Sequence, residues 1–235
     1  RKGRQIVAQP IDAKSNVQQI IDRCEHLYHD LSLQTVKDCK AKNPKKKAIG
    51  FMPVYVPREI IHAAGMLPVG IMGAGDDLEI IRGDAYFQSY ICLIPRSTIE
   101  LGVSGRLDAL DGMLFPAICD VIRNLSGMWK ILFKDKYVKY LDLPQDFAKA
   151  GHDFYRYELQ TLLTDFEAMT GTPVRPDALA RSIDLYNANR RAIDDLYQLR
   201  ANRPHQVSTY DLYLLMRAGN LLEVTEHTAL VRRYL

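Results

Sequence analysis

The chain has 235 residues, of which 47% are hydrophobic and 25% charged, and its formal net charge is +3. This composition is ordinary for a globular protein, and so small a net charge argues against a dedicated nucleic-acid-binding protein. No apolar run approaches the ~18 residues that cross a bilayer, and no signal-peptide pattern opens the chain. We therefore predict a cytoplasmic protein without a membrane segment, whose four cysteines are free thiols.

The first predicted element is an amino-terminal helix. Hydrophobic residues recur at three- and four-residue spacing from Asn16 to Lys40 and predict one continuous helix there. We assign residues 1–47 to this helical segment. Basic runs at 1–4 and 40–47 are typical of solvated loops, and the alternative is a patch that attracts the phosphates of an acidic cofactor or substrate.

Strands and helices alternate over the next hundred residues. Strands are predicted at 48–52, 67–71, 112–115 and 137–141, and helices at 58–64, 97–105 and 121–133. This alternation predicts an α/β fold over 48–145, with a doubly wound sheet of about four parallel strands. Residues 146–235 show only helical periodicity, with stop signals such as Gly171 and Gly219.

Two cysteines follow predicted strand-to-helix turns. Cys119 lies between the apolar strand at 112–115 and an amphipathic helix that Asp120 is predicted to cap, and Cys92 precedes a predicted helix start at Pro95. The carboxyl edge of a parallel sheet binds ligands, and a helix amino terminus stabilises an anionic sulfur. The pair therefore indicates a metal or cluster site more than a disulfide. No Cys-x-x-C spacing is present, so spacing alone does not identify the site.

A glutamate and a histidine share one face of the helix predicted at 58–64. Glu59 and His62 are three residues apart, close to the carboxyl edge of the predicted sheet. The functional interpretation is a pair that faces a ligand. The alternative is a helix-surface pair or a partly buried structural histidine.

Several motifs together point to one family. They are, in chain order, residues 55–68, Cys92 with residues 95–97, and residues 105–112, 115–120 and 185–190. From about Val17 onward the sequence resembles the benzoyl-CoA reductase and 2-hydroxyacyl-CoA dehydratase family. Within it, the stretches 86–98 and 119–129 are most similar to a cluster-carrying subunit of benzoyl-CoA reductase.

The resemblance implies a 4Fe–4S cluster held by cysteines from two α/β domains. Cys92 and Cys119 match the two cysteines of the first domain. The third protein ligand is expected outside this chain segment, and residues 146–235 then lead to a second α/β domain that this chain does not contain. We accordingly expect the chain to be a piece of a longer polypeptide.

Three further side chains are expected to surround the cluster sulfurs. They are Arg96, Ser97 and Asp120. Cys24 and Cys39 lie outside the matching motifs and are interpreted as structural.

The resemblance also implies an activity and partners. The parent protein would be the iron–sulfur subunit of an ATP-dependent benzoyl-CoA reductase, an oxidoreductase that reduces the aromatic ring of an acyl-CoA thioester to a cyclic dienoyl-CoA. Its partners would be a homologous cluster-bearing subunit and ATP-hydrolysing activator subunits. Glu59 and His62 would then border the acyl-CoA pocket, with His62 as proton donor. The alternatives are a 2-hydroxyacyl-CoA dehydratase subunit, which eliminates water by radical chemistry, and a non-redox acyl-CoA-binding or scaffold subunit.

Overall fold

The computed structural model describes residues 16–235, so the basic run at 1–4 lies outside the described residues. The strands are β1 (Ala48–Phe51), β2 (Leu67–Gly70), β3 (Gly112–Pro116) and β4 (Tyr137–Leu141). The helices are α1 (Asn16–Tyr28), α2 (Gln34–Lys42), α3 (Arg58–Ala63), α4 (Leu93–Val103), α5 (Asp120–Leu132), α6 (Lys149–Thr170), α7 (Pro176–Asn202), α8 (Thr209–Ala218) and α9 (Val224–Tyr234). A short 3-10 turn spans Gly83–Ala85. Over these residues no helix has both the length and the apolar character of a membrane span.

The four strands form one parallel sheet in the order β2-β1-β3-β4. This confirms the predicted sheet. Strand β2 lies on one side of β1, and the chain then passes back over β1 so that β3 pairs with its other side. The loops that follow β1 and β3 therefore diverge at a topological switch point, which is where open α/β sheets bind ligands.

Both faces of the sheet are covered by helices. Along β1, Ile49 and Phe51 point into one apolar layer, while Ala48 and Met52 point into the other. The first layer contains side chains of α3 and α6, and the second contains side chains of α1, α2, α4, α5, α7, α8 and α9. This arrangement confirms the doubly wound α/β prediction, because a sheet buried on both faces requires helices on both faces.

Helices α4 and α5 pack side by side on one face of the sheet. Each connects one strand to the next parallel strand, so each begins at the carboxyl edge of the sheet. Gly102 of α4 allows a close approach, since a Cβ there would lie 2.6 Å from Cη2 of Trp129 on α5. The indole ring in turn stacks near Phe133, with 4.5 Å between ring centroids.

The single amino-terminal helix predicted from Asn16 to Lys40 is wrong. The structure has two helices there, which are separated at residues 29–33. The Asp30 carboxylate accepts hydrogen bonds from the backbone amides of Gln34 (2.7 Å) and Thr35 (2.8 Å), and Leu33 adopts a left-handed backbone with φ 54°. An aspartate that satisfies the first amides of a new helix competes with continuation of the old one.

Two helix starts also differ from prediction. Helix α4 begins at Leu93 rather than at residue 97, and Pro95 is accommodated because the first-turn amides need no partner within the helix. Cys119, not Asp120, is the residue that precedes the first helical residue of α5. Both corrections bring the cysteines closer to the helix ends than the sequence predicted.

A buried polar cluster joins the carboxyl-terminal helices. The His227 imidazole lies 2.9 Å from the carbonyl oxygen of Leu215 through Nε2, and Asn189 Nδ2 lies 2.9 Å from both His227 Nδ1 and Thr228 Oγ1. This geometry fits a neutral imidazole that donates to the carbonyl and accepts from the amide. Burial lowers the pKa of His227, since desolvation disfavours its charged form.

We predict that His227→Ala in the full-length protein lowers the free energy of unfolding by about 2–4 kcal/mol, because two buried polar partners lose their hydrogen bonds. The wild-type stability should also fall as pH drops below about 6.5, since the unfolded state takes up the proton more readily than the folded one. Urea unfolding at about pH 7.5 and 5.5 measures both effects.

His205→Ala, a change at an exposed loop position, is the matched control. The His227→Ala protein should lose less stability on acidification than the wild type. Part of the pH dependence should persist in it, because burial also lowers the pKa of His62. Equal losses in wild type and His227→Ala would contradict the assignment.

Candidate functional site

Cys92 and Cys119 occupy equivalent places in the fold. Each is the residue immediately before the first helical residue, Cys92 for α4 and Cys119 for α5, and both side chains are exposed. Cys24, by contrast, is fully buried in α1, and burial raises the pKa of its thiol to about 11. A buried neutral thiol is a poor metal ligand, so Cys24 fits the structural role predicted for it.

The packing of α4 on α5 sets the positions of the two cysteines along the helix axes. Gly102 and Trp129, which contact one another, each lie ten residues after the cysteine of their own helix. At 1.5 Å rise per residue, the start of each helix lies about 15 Å from that contact, in the direction of the helix amino terminus. Neighbouring helix axes are about 8–10 Å apart. The fold thus brings Cys92 and Cys119 to adjacent helix amino termini, and their sharing one site stays a prediction.

Ser97 holds the first turn of α4 against the loop after β2. Its hydroxyl donates to the carbonyl oxygen of Leu93 (2.7 Å) and accepts from the backbone amide of Ala74 (3.1 Å). Gly73 allows this contact, because its φ is +73° and a Cβ there would lie 2.4 Å from Ser97 Oγ. Ser97 is fully buried, so the structure gives it a role in positioning the turn that carries Cys92.

Arg96 and Glu100 fix the segment that leads into Cys92. The Arg96 guanidinium binds the Asp84 carboxylate, with 2.5 Å from Nη2 to Oδ1. The buried Glu100 carboxylate accepts the backbone amides of Ile81 (3.0 Å) and Gly83 (2.6 Å). Arg96 therefore supports the loop before α4, and its predicted proximity to cluster sulfurs stays a prediction.

Asp120 is exposed as the first residue of α5. One turn later, the Arg123 guanidinium lies 5.2 Å from the centroid of the Tyr140 ring and 3.8 Å from the Asp142 carboxylate. Charged groups of both signs therefore surround the start of α5. Contact between Asp120 and a cluster stays a prediction.

Glu59 and His62 contact helix α7. Nδ1 of His62 lies 2.9 Å from the Ser182 hydroxyl, which itself donates to the Glu59 carbonyl oxygen at 2.9 Å. Since the hydroxyl hydrogen is used there, the geometry fits an imidazole that donates from Nδ1. The Glu59 carboxylate pairs with Arg190. Burial lowers the pKa of His62, so its neutral form is favoured.

A cavity of about 520 Å³ opens at the carboxyl edge of the sheet. We call it the carboxyl-edge cavity. Its walls come from the loops after β1, β3 and β4 and from the first turns of α6. The lining residues are Tyr55, Ala117, Ile118, Leu143, Pro144, Gln145, Asp146, Phe147, Gly151, His152 and Tyr155.

The pair predicted to border an acyl-CoA pocket, Glu59 and His62, lies outside the lining of this cavity. Burial and the negative charge of Glu59 together raise the pKa of Tyr155, so the Glu59 carboxylate is within electrostatic range of that lining residue. The assignment of both residues to an acyl-CoA pocket stays a prediction.

The residues that follow β4 were not predicted from the sequence as site residues. Phe147, His152 and Tyr155 line the cavity although no motif or spacing marked them. A signal was present, because β4 was predicted at 137–141 and the loop after any parallel strand lies at the carboxyl edge. The same rule that selected Cys119 after β3 applies to the residues after β4.

The donor set fits part of a cluster site. Across residues 16–235 no group of three or more histidine, cysteine, aspartate or glutamate side chains is placed to hold a metal ion. Two exposed cysteines at adjacent helix amino termini match the thiolate chemistry of iron–sulfur ligands. Their assignment as two of the ligands of a cluster stays a prediction.

Comparison with known proteins finds relatives that are subunits of acyl-CoA reductases or dehydratases. The family model for 2-hydroxyglutaryl-CoA dehydratase, D-component, matches residues 53–235. A benzoyl-CoA reductase subunit of Thauera aromatica is 56% identical over 92% of this chain and 56% of its own length. The beta subunit of (R)-2-hydroxyglutaryl-CoA dehydratase from Acidaminococcus fermentans is 32% identical over 80% of the chain and 50% of its own length.

A third relative is also a dehydratase subunit. The (R)-phenyllactyl-CoA dehydratase beta subunit of Clostridium sporogenes is 28% identical over 82% of the chain and 54% of its own length. The chain thus spans about half the length of these curated relatives. Because the family model covers most of the chain, the chain belongs to the 2-hydroxyglutaryl-CoA dehydratase D-component family, to which benzoyl-CoA reductase and 2-hydroxyacyl-CoA dehydratase subunits are related.

Proposed function

We propose that the parent protein is an iron–sulfur subunit of an ATP-dependent benzoyl-CoA reductase. The observation that carries this proposal is the 56% identity to the Thauera aromatica benzoyl-CoA reductase subunit over 92% of the chain. The dehydratase subunits are much less similar, at 32% and 28%. The reaction would add electrons and protons to the aromatic ring of benzoyl-CoA and give a cyclic dienoyl-CoA.

The residues of this chain would hold and insulate the cofactor. A bound 4Fe–4S cluster supplies single electrons at low potential. Cys92 and Cys119 would ligate it as thiolates, with the amino-terminal ends of α4 and α5 stabilising their negative charge. Ser97 and Arg96 fix the turn around Cys92, so they would hold that ligand in place. The third ligand would come from protein outside residues 1–235.

The partners follow from the same proposal. A homologous cluster-bearing subunit would complete the reductase, and ATP-hydrolysing activator subunits would deliver the electrons in the cytoplasm. The second candidate is a 2-hydroxyacyl-CoA dehydratase subunit, which the family model and two of the relatives favour. A non-redox scaffold subunit is the third, because two of the proposed cluster ligands come from this chain and a further ligand has to come from elsewhere.

We predict that Cys92→Ser or Cys119→Ser in the full-length subunit lowers bound iron from roughly four atoms per chain to fewer than about one, because each change removes a thiolate ligand. Iron analysis and electron paramagnetic resonance of the anaerobically purified full-length subunit, separated from its cluster-bearing partner, measure this. Cys39→Ser is the matched control, since Cys39 lies in α2 and away from both helix starts. Retention of the full iron content by both site variants would exclude the ligand assignment and favour the scaffold function.

We predict that the intact complex, supplied with its activator and ATP, consumes benzoyl-CoA with formation of a cyclic dienoyl-CoA. Anaerobic turnover followed by mass spectrometry distinguishes a mass gain of two hydrogens from the loss of one water. 2-Hydroxyacyl-CoA substrates run in parallel serve as the comparison. Conversion of only those substrates would identify the protein as a dehydratase subunit.

We predict that His62→Ala lowers kcat by about 10²-fold with little change in KM if His62 supplies a proton, since general acid catalysis contributes that much. Ser182→Ala is the matched comparison, because it breaks the same contact between α3 and α7 but keeps the imidazole. Thermal unfolding of both variants measures the structural part. Similar kcat values in the two variants would show that His62 is structural.

A further inference from the structure

We propose that the carboxyl-edge cavity binds the aryl end of the acyl-CoA thioester. The inference rests on the proposed function, and it assigns the substrate's acyl group to a place in this chain. Glu59 and His62 would then lie outside the residues that contact the acyl group.

The first support is the convergence of exposed apolar side chains on a concave surface. Phe147 is 89% exposed, Tyr55 59% and Ile118 43%, and they come from three different loops. Single apolar residues on a surface are ordinary, but several around one cavity mark a binding site. Aromatic side chains such as Tyr55 and Phe147 stack favourably on an aryl ring.

The second support is size. The cavity volume of about 520 Å³ lies within the roughly 300–1,000 Å³ of small-molecule sites. It accommodates an aryl thioester with the start of its pantetheine arm. The nucleotide end of coenzyme A would lie outside the cavity, so free coenzyme A should bind almost independently of it.

The third support is the position of Cys119. Ile118 lines the cavity and is directly bonded to Cys119, so their Cα atoms are about 3.8 Å apart. An acyl group in the cavity would therefore lie beside the predicted cluster ligand. That proximity is what electron delivery to the ring requires.

The fourth support is that the cavity wall formed by the loop ahead of α6 is ordered without a ligand. Asp146 accepts the backbone amide of Ala148 at 2.8 Å, which fixes the loop ahead of α6. Gly151 is packed so tightly that a Cβ would lie 1.9 Å from the Asp146 carbonyl oxygen. A cavity wall ordered in this way loses little entropy when a ligand binds.

The cavity also offers a hydrogen-bond donor. The His152 side chain is exposed at the start of α6, and its imidazole has no partner within residues 16–235. An N–H of the imidazole ring can donate to the thioester carbonyl oxygen, whereas the surrounding apolar side chains cannot. The lining thus matches both parts of an aryl thioester.

The test is Phe147→Asp in the intact complex, with benzoyl-CoA and free coenzyme A as probes. Phe147 is almost fully exposed, so the substitution should leave folding intact. We expect the Kd of benzoyl-CoA to rise at least about tenfold and that of coenzyme A by less than about twofold, because only the acyl contact is lost. Tyr157→Asp, on the exposed face of α6 and outside the lining, is the matched control and should change neither Kd.

Photolabelling supplies an independent measurement. 4-Azidobenzoyl-CoA should label residues 143–155 in the wild-type complex, and excess benzoyl-CoA should suppress the label. Labelling confined to other segments would overturn the inference.

The outcomes separate this inference from the proposed function. An unchanged Kd for benzoyl-CoA in a Phe147→Asp complex that still reduces the ring would overturn the cavity assignment and leave the function standing. A complex that converts only 2-hydroxyacyl-CoA would overturn the function, and weaker binding of that substrate by Phe147→Asp would still support the cavity. A lowered melting temperature with unchanged Kd would show that another protein segment covers the cavity and would overturn the inference.

Discussion

The arrangement of the candidate site depends on the close packing of α4 against α5. Gly102 has no side chain, and Trp129 fills the space that a Cβ would need. A larger residue at position 102 would push the indole aside or separate the helices, and the amino termini of both helices would move with them. Cys92 and Cys119 are far apart in sequence. Both lie toward the same edge of the sheet because this contact sets the position of each helix along its axis.

A second constraint acts from inside α4. Ser97 and Glu100 are buried polar side chains, and each satisfies backbone amides of the irregular segment between β2 and α4. Buried polar groups are costly without partners, so these hydrogen bonds hold the segment in one conformation. Arg96 adds an ion pair at its outer side. Side chains that the sequence suggested as neighbours of a cluster therefore have an observable role already, which is to position the turn of Cys92.

The α/β core could be predicted from the sequence because its signals are local. β4 was predicted with the observed bounds, and the helix after β1 ends at Gly65 with the left-handed φ of 76° that the glycine suggested. The break between α1 and α2 could not be found by hydrophobic periodicity, since the spacing continues across it. The signal for the break is the Asp30 carboxylate, which accepts hydrogen bonds from two backbone amides of α2. Such a hydrogen-bonding signal leaves no trace in the pattern of apolar residues.

The cavity was missed for a different reason, which is that its walls come from three separate segments of the chain. No single segment carries a motif for it, and Tyr155 belongs to a helix whose periodicity predicts only packing. Topology supplies the missing information: β1 and β3 are neighbours at the switch point, and β4 lies beside β3, so the loops after all three strands must meet. Cys119 follows one of those strands directly. Within residues 16–235 the loops at this edge are exposed, which makes the Cys119 thiol accessible and leaves Tyr55, Ile118 and Phe147 exposed around it. An apolar surface beside the accessible Cys119 thiol would suit the proposed reaction between a bound redox centre and an apolar acyl group, because a substrate that fills the space displaces water from it.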